Sequence, residues 1–224
     1  MRRSIAMILA IVRKDLLSEL RSKEIAVSIL LFALLVIVVF SFAFDPETEA
    51  LEIVAPGVLW IAFTFAGMLG LSRLFAAEKE KGGLEGLMLC PMERDLIYWG
   101  KLLGIFLFMM IVEAVITPIF LVLFDFPLWI PELGLISALA TLGFAAVGTL
   151  FSAMAAHTKA RDITLPVLFI PITVPVIIAA VKAAEAALGG EPFGEMASWL
   201  GIITAFDAIF LVVSGFVFEF VLEE

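Results

Sequence analysis

The fold is decided by residues 72–101, SRLFAAEKEKGGLEGLMLCPMERDLIYWGK. This segment carries ten charged residues, yet it lies between two apolar runs that are each long enough to cross a bilayer. A charged loop that is held at both ends by membrane spans has to lie in water. We therefore predict a transmembrane helix on either side of it and an aqueous position for the segment itself.

The first part of the segment extends the preceding helix. Residues 76–81 are rich in charge and in good helix formers, and they are followed by Gly82 and Gly83. Glycine inside a helix costs roughly 1 kcal/mol relative to alanine, so the glycine pair is expected to end this extension.

A short amphipathic helix is predicted next. Leu84, Leu87 and Met88 recur at helical spacing and form one apolar stripe, whereas Glu85 points elsewhere. Pro91 ends this helix, because proline lacks the N–H that the hydrogen-bond ladder needs. Such a helix either connects two spans along the lipid surface or docks a soluble partner. The residues alone leave both interpretations open.

Composition places the chain among integral membrane proteins. Of its 224 residues 63% are hydrophobic, and its mean hydropathy is +1.16, far above the values of soluble domains. One cysteine excludes an internal disulfide, and one cysteine with one histidine excludes a conventional zinc site. Basic patches suited to nucleic acid are absent, and we expect no nucleic-acid partner.

No motif in the sequence predicts an enzyme. The glycines of residues 72–101 do not form a phosphate-binding loop, because no window of the chain satisfies G-x-x-x-x-G-K-[ST]. No pairing of a nucleophile with a base and no cofactor fingerprint occurs either. If the protein uses ATP, the ATPase is another chain.

The chain reads as an all-α membrane protein with a single domain over residues 1–224. Six transmembrane helices are predicted, with spans of about 25–44, 53–75, 102–124, 133–156, 163–181 and 196–218. The first 24 residues instead predict an amphipathic helix that lies in the membrane interface. Its apolar residues recur at helical spacing and are Ile5, Leu9, Val12, Leu16 and Leu20.

Two spans have unusual composition. Small residues recur in the fourth span at Gly143, Ala146 and Gly148, which favours close helix packing. The fifth span carries three prolines, so we expect a bent helix that is packed in protein. Residues 183–195 then predict a short external segment or half-helix.

Basic residues predict the orientation. Thirteen of the fourteen lysines and arginines lie in the N-terminal helix, in or beside residues 72–101, or in the turn near residue 159, and Lys182 alone lies on the other face. Because basic residues accumulate on the cytoplasmic side, both termini are expected in the cytoplasm.

Two acids are expected inside the bilayer, Glu113 near the middle of the third span and Asp207 at the centre of the sixth. A charged carboxylate there costs on the order of 3 kcal/mol, so each must face protein or water, or stay protonated. Their available partners are each other, through a shared proton, or the carbonyls freed by Pro171 and Pro175. They either tie helices together or serve a substrate path or a proton step.

Several blocks of the sequence share the pattern of one known family. They are VAPGVLW at 54–60, RLF at 73–75, LEGLML at 84–89 with Pro91 after it, Lys101, and LFIPITVP at 168–175. In these blocks the chain resembles the CcmB family, the permease subunit of the ABC-type complex of cytochrome c maturation. The resemblance covers most of the chain and implies an ABC-2-like permease in a bacterial inner membrane.

The resemblance also implies partners. These are a CcmA-type ATP-binding subunit, a CcmC-type haem-handling membrane protein and a CcmE-type haem chaperone, with membrane lipid around the chain and two copies per complex. Haem is possible in the complex, but no cofactor is expected on this chain. The residues expected to dock the ATPase are Glu78, Glu80, Gly82, Gly83, Leu84, Glu85, Leu87, Met88 and Pro91.

Two other classes of function stay open. The chain could be a membrane scaffold without an energy-driven cycle, or a proton-coupled carrier that uses Glu113 and Asp207. ATPase activity that depends on co-expression of the nucleotide-binding chain would separate the permease from both.

Overall fold

The computed structural model describes residues 2–21, 24–44, 49–80, 86, 94–156 and 161–221. All the regular elements in these residues are α-helices. They are α1 (Arg2–Arg21), α2 (Glu24–Ala43), α3 (Glu49–Glu80), α4 (Arg94–Leu123), α5 (Pro131–Ala156), α6 (Arg161–Leu188) and α7 (Phe193–Val221).

Helices α2 to α7 are the six membrane spans. Each is long and apolar enough to cross a bilayer, which confirms the predicted fold class. Large apolar side chains on their outer faces are exposed, among them Phe42 at 86% and Phe216 at 72%. In a chain that spans the membrane, these side chains face lipid or a membrane partner.

The two longest spans are neighbours in the chain, and both are longer than a bilayer requires. With 32 residues α3 is about 48 Å long and with 30 residues α4 is about 45 Å long, against a hydrocarbon core of about 30 Å. The surplus includes residues 73–80 of α3, so the charged extension predicted after the second span is helical through Glu80. The two overhangs flank residues 81–93.

Helix α5 is the centre of the bundle. It has the largest share of buried residues among the six spans and contacts α3, α4, α6 and α7. Its small residues allow this. A Cβ atom added at Gly148 would collide with Leu71 of α3, and one at Gly143 would collide with Asp207 of α7. The predicted close packing of the fourth span is therefore confirmed.

Helix α6 extends farther than the sequence pattern indicated. It runs as one helix to Leu188 and ends where Gly190 adopts a φ of 68°. The prediction of a separate half-helix over residues 183–195 is wrong, since residues 183–188 complete α6 and residues 193–195 begin α7. Alanine-rich composition there favours continuing the helix up to the glycine pair.

Two of the three prolines of α6 lie on its outer side. Pro171 and Pro175 are exposed, whereas Phe169, Thr173 and Val176 on the inner side are buried. The helix therefore packs within the chain along one face only, and the face that carries these two prolines is left open.

The turns at the ends of α4 and α6 are built alike. Asp125 has a φ of 56°, and the N–H of Phe126 donates to the carbonyl of Leu121 at 2.8 Å. After α6, Gly190 takes the left-handed position, and the N–H of Glu191 donates to the carbonyl of Ala186 at 2.9 Å. Both are Schellman caps, in which a left-handed residue lets two backbone N–H groups satisfy the last carbonyls.

Candidate functional site

The predicted ATPase-docking segment is only partly described. Glu78 and Glu80 lie in the last turn of α3, whose backbone the structure describes, but nothing is described of their side chains. The other predicted docking residues lie outside the described residues and are Gly82, Gly83, Leu84, Glu85, Leu87, Met88 and Pro91. Their docking role stays a prediction.

Next to this segment the structure forms an ion pair that the sequence pattern did not predict. Lys101 on α4 places its Nζ 3.0 Å from Oδ2 of Asp15 on α1, and the two side chains are 1% and 6% exposed. That oxygen has no hydrogen-bond donor of suitable geometry among the described residues, and its contact with Lys101 is an ion pair. The other oxygen, Oδ1, lies 3.2 Å from Nζ of Lys14, which is 46% exposed. A single carboxylate thus links a buried lysine and a surface lysine.

Two glycines make room for this contact. A Cβ atom at Gly100 would lie 2.9 Å from the side chain of Ile11, and one at Gly104 would lie 3.5 Å from Asp15. Gly100 and Gly104 are one helical turn apart, the small-xxx-small spacing that lets helices approach closely. Helix α1 is therefore packed on α4 as well as being amphipathic.

The buried side of α1 overlaps the predicted stripe only in part. Within the stripe, Val12 is buried and Leu16 packs partly buried against the core, whereas Ile5 and Leu9 are about half exposed. Ile11 and Asp15, which are buried, lie outside the stripe. The helical period predicted an amphipathic α1, but it did not identify the side of α1 that contacts the rest of the protein.

Glu113 is buried between α4 and α5. Its side chain is 3% exposed, and Thr141 on α5 donates a hydrogen bond to its Oε1 at 2.6 Å. The other oxygen, Oε2, has no hydrogen-bond partner among the described residues. Beside the carboxyl group is a small cavity of about 10 Å³, whose other lining residues are apolar or glycine, including Ile29 of α2 and Phe63 of α3.

Asp207 is buried between α7 and α5. Its side chain is 4% exposed, and Oδ1 occupies the space that a side chain at Gly143 would need. Neither of its carboxylate oxygens has a hydrogen-bond partner within the part of the chain that the structure describes. The suggested hydrogen bonds to carbonyls freed by Pro171 and Pro175 are not formed.

The two acids lie on different sides of α5. Glu113 contacts Thr141 and Asp207 contacts Gly143, and two residues along a helix are about 200° apart around its axis. The structure therefore does not bring the two carboxyl groups together, and the suggested pairing through a shared proton is not present.

Some residues of the motif blocks pack in the core. Trp60 is 1% exposed and meets Phe63 edge to face with ring centroids 5.6 Å apart, and the ring centroid of Phe169 lies 5.7 Å from that of Phe144 of α5. Others, such as Pro171 and Pro175, lie on the open face of α6, and Lys101 carries a charge that is buried and paired.

The described residues contain no group of three or more histidine, cysteine, aspartate or glutamate side chains that could hold a metal ion.

Comparisons with known proteins agree with this architecture. The family model described as "CcmB protein" matches residues 6–224. A protein of Pseudomonas aeruginosa described as "Heme exporter protein B" is 31% identical over 186 residues, 83% of each chain. Proteins with the same description from Bradyrhizobium diazoefficiens and Escherichia coli are 29% and 28% identical, covering 92% and 82% of this chain and 93% and 84% of theirs.

These relatives are bacterial, and six membrane-spanning helices together with bacterial relatives indicate a protein of a bacterial inner membrane. With its fold, its motif blocks and a family match over nearly the whole length, the chain belongs to the CcmB family.

Proposed function

We propose that this chain is the membrane permease subunit of an ABC-type complex in cytochrome c biogenesis. In this complex, ATP hydrolysis by a separate subunit drives haem handling or the release of a haem-loaded chaperone. Membership of the CcmB family supports the permease role, and the description of the relatives as heme exporter protein B supports haem as the molecule that the complex handles.

The observation that carries the proposal is the pair of overhanging helices. Helices α3 and α4 both exceed the bilayer, and the segment between them is the predicted docking region. A soluble ATPase that binds residues 81–93 would act on the ends of two rigid helices. Both of these helices pack directly on the central helix α5. A displacement at the membrane surface would therefore reach the core of the bundle.

The partners follow from the same proposal. A CcmA-type subunit supplies ATP binding and hydrolysis, and CcmC-type and CcmE-type proteins handle and receive haem. Two copies of the chain per complex would give each ATPase subunit one docking segment. The chain itself acts as a non-catalytic subunit and holds no cofactor.

The proposed orientation has both termini and residues 81–93 in the cytoplasm. It is supported by the distribution of lysine and arginine, because thirteen of the fourteen lie in segments that this orientation places on the cytoplasmic side. The turns after α4 and α6 then lie outside the cytoplasm.

The alternatives are less well supported. A proton-coupled carrier would need its acids along one path, whereas Glu113 and Asp207 lie on different sides of α5. A passive scaffold has no specific observation in its favour.

Co-expression tests the proposal. Membranes that contain this chain with the CcmA-type subunit should hydrolyse ATP, and a variant of the ATPase subunit that lacks its phosphate-binding lysine should not. Cells with the intact pair should produce c-type cytochromes. Cytochrome maturation at normal levels with the ATPase-dead variant would favour the scaffold and overturn the permease.

A further inference from the structure

The contact between α1 and α4 fixes one relative position of these helices. Ile11 meets Gly100, and Asp15 meets Gly104 one helical turn farther along both helices. Lys101, between the two glycines, pairs with the same Asp15. Steric fit and charge therefore specify the same register.

The ion pair is better suited to specifying position than to adding stability. Removing two charges from water costs about as much as their attraction returns, so buried pairs contribute little net stability, whereas removal of one partner leaves an uncompensated charge. Any sliding of α1 along α4 by one turn would leave Lys101 buried without Asp15. The pair thus penalises a one-turn shift of α1 along α4.

The contact also lies close to the docking region. Lys101 is seven residues after Arg94, where α4 begins, which is about 10 Å along the helix. Because a helix is stiff over two turns, a force applied at residues 81–93 would move the Lys101 side chain together with the start of α4.

From these observations we propose that Asp15 is a positioning residue that joins α1 and the first turns of α4 into one rigid unit. The proposal rests on the proposed function, since the unit would pass the movement of the ATPase to α1 as well as to α5. Helix α1 is then a moving part of the permease, not a passive anchor on the membrane surface.

The first test measures the contact itself and needs no partner protein. Ile11→Cys is placed in a Cys90→Ser background, and labelling by a membrane-permeant maleimide is followed in native membranes. Labelling should be slow with Asp15 present, because Ile11 is 4% exposed, and about tenfold or more faster after Asp15→Asn. The matched control is Glu185→Gln, which breaks the exposed Lys182–Glu185 pair at 2.6 Å and should change nothing.

A second variant covers the possibility that Asp15→Asn prevents folding. The double variant Asp15→Asn, Lys101→Met removes both charges of the buried pair, so neither is left buried without the other, and the variant should insert and fold. It should show the same faster labelling. Unchanged labelling in the double variant would overturn the proposal, because α1 would then hold its place without the pair.

The second test asks whether the fixed position matters for function. Asp15→Cys and Gly104→Cys would place two Cβ atoms 3.5 Å apart, a separation that suits a disulfide, and in a Lys101→Met background this covalent link replaces the ion pair. We expect the double charge variant to assemble with its ATPase subunit but to lose most cytochrome maturation, and the oxidised disulfide variant to retain it. If the oxidised disulfide variant assembles but matures no cytochromes, α1 has to separate from α4 and the rigid unit is excluded.

The two tests separate this proposal from the proposed function. If haem handling is not the role of the complex, the maturation readout fails for every variant while the labelling result stands. If α1 is only an anchor, labelling changes but maturation does not, and the positioning role is overturned.

Discussion

Thr141 on the central helix α5 donates a hydrogen bond of 2.6 Å to Glu113 on α4, in a part of the bundle where the rest of the surroundings are largely apolar. A charged carboxylate in such surroundings would be costly, and Oε2 has no donor among the described residues. A neutral acid suits this position and ties two helices together.

This geometry predicts that Glu113→Gln is tolerated. The amide oxygen still accepts the hydrogen bond of Thr141, so assembly of the complex and cytochrome maturation should match those of the unchanged chain. Thr141→Val removes the hydroxyl that donates to the carboxyl group of Glu113 and should lower the free energy of unfolding by about 1–3 kcal/mol, measured by denaturant titration in detergent. Loss of maturation in an assembled Glu113→Gln complex would instead indicate a proton step.

The spans were predictable because they depend on composition. A run of about 20 uncharged residues has few alternatives in a membrane protein, and the glycines of α5 indicated close packing in advance. Family blocks such as residues 54–60 were visible too, but the sequence did not show that Trp60 is buried packing.

The contacts between helices were not predictable in the same way. Ile11 and Asp15 pack on α4 because Gly100 and Gly104 leave a groove there, and the 3.6-residue period of α1 alone cannot choose among its faces. The signals were present, an acid in a basic helix and a GxxxG spacing beside Lys101, but each is weak until the structure brings them together. The separation of Glu113 on α4 from Asp207 on α7 likewise depends on a third helix, α5. Their contact residues, Thr141 and Gly143, are about 200° apart around the axis of that helix.

Gly143 is predicted to be required for the close packing of α7 on α5. Gly143→Ala places a methyl group against Asp207 and Phe206 and should lower the free energy of unfolding by about 1–3 kcal/mol. Gly201→Ala on α7 is the matched control, because nothing lies within 4 Å of an added Cβ there, and it should be neutral or slightly stabilising. Equal stability of the two variants in the same denaturant titration would contradict the close packing of α7 on α5.

The residue type at position 125 is predicted to affect the stability of the cap of α4. A left-handed conformation costs a residue with a Cβ roughly 1–2 kcal/mol, so Asp125→Val should be less stable than Asp125→Gly by at least about that amount. Asp125→Gly should equal or exceed the unchanged chain in stability. Thermal aggregation of the purified proteins in detergent gives the ranking. An Asp125→Val variant as stable as the glycine variant would show that this turn is not held in the Schellman geometry.

Orientation can be tested by cysteine labelling in a Cys90→Ser background. Cysteines placed at the exposed positions Pro127 and Glu191 should react with an impermeant reagent added from outside the cytoplasm. Cysteines at Lys79 and Lys159 should react only after the membrane is opened, because the basic residues of both regions favour the cytoplasm. External labelling at Lys79 would reverse the proposed topology.

The docking segment gives the last prediction. If Leu84, Leu87 and Met88 form the apolar stripe of a helix that inserts into a groove of the ATPase, Leu87→Asp would bury a charge against an apolar surface. Membrane insertion should survive, because residue 87 lies outside the spans, whereas co-purification of the ATPase subunit should be lost. Leu87→Met is the matched control: it keeps an apolar side chain of similar volume and should retain the subunit and its ATPase activity. A Leu87→Asp complex that assembles and hydrolyses ATP at the normal rate would assign docking to some other part of the chain, and the overhangs of α3 and α4 would then need a different explanation.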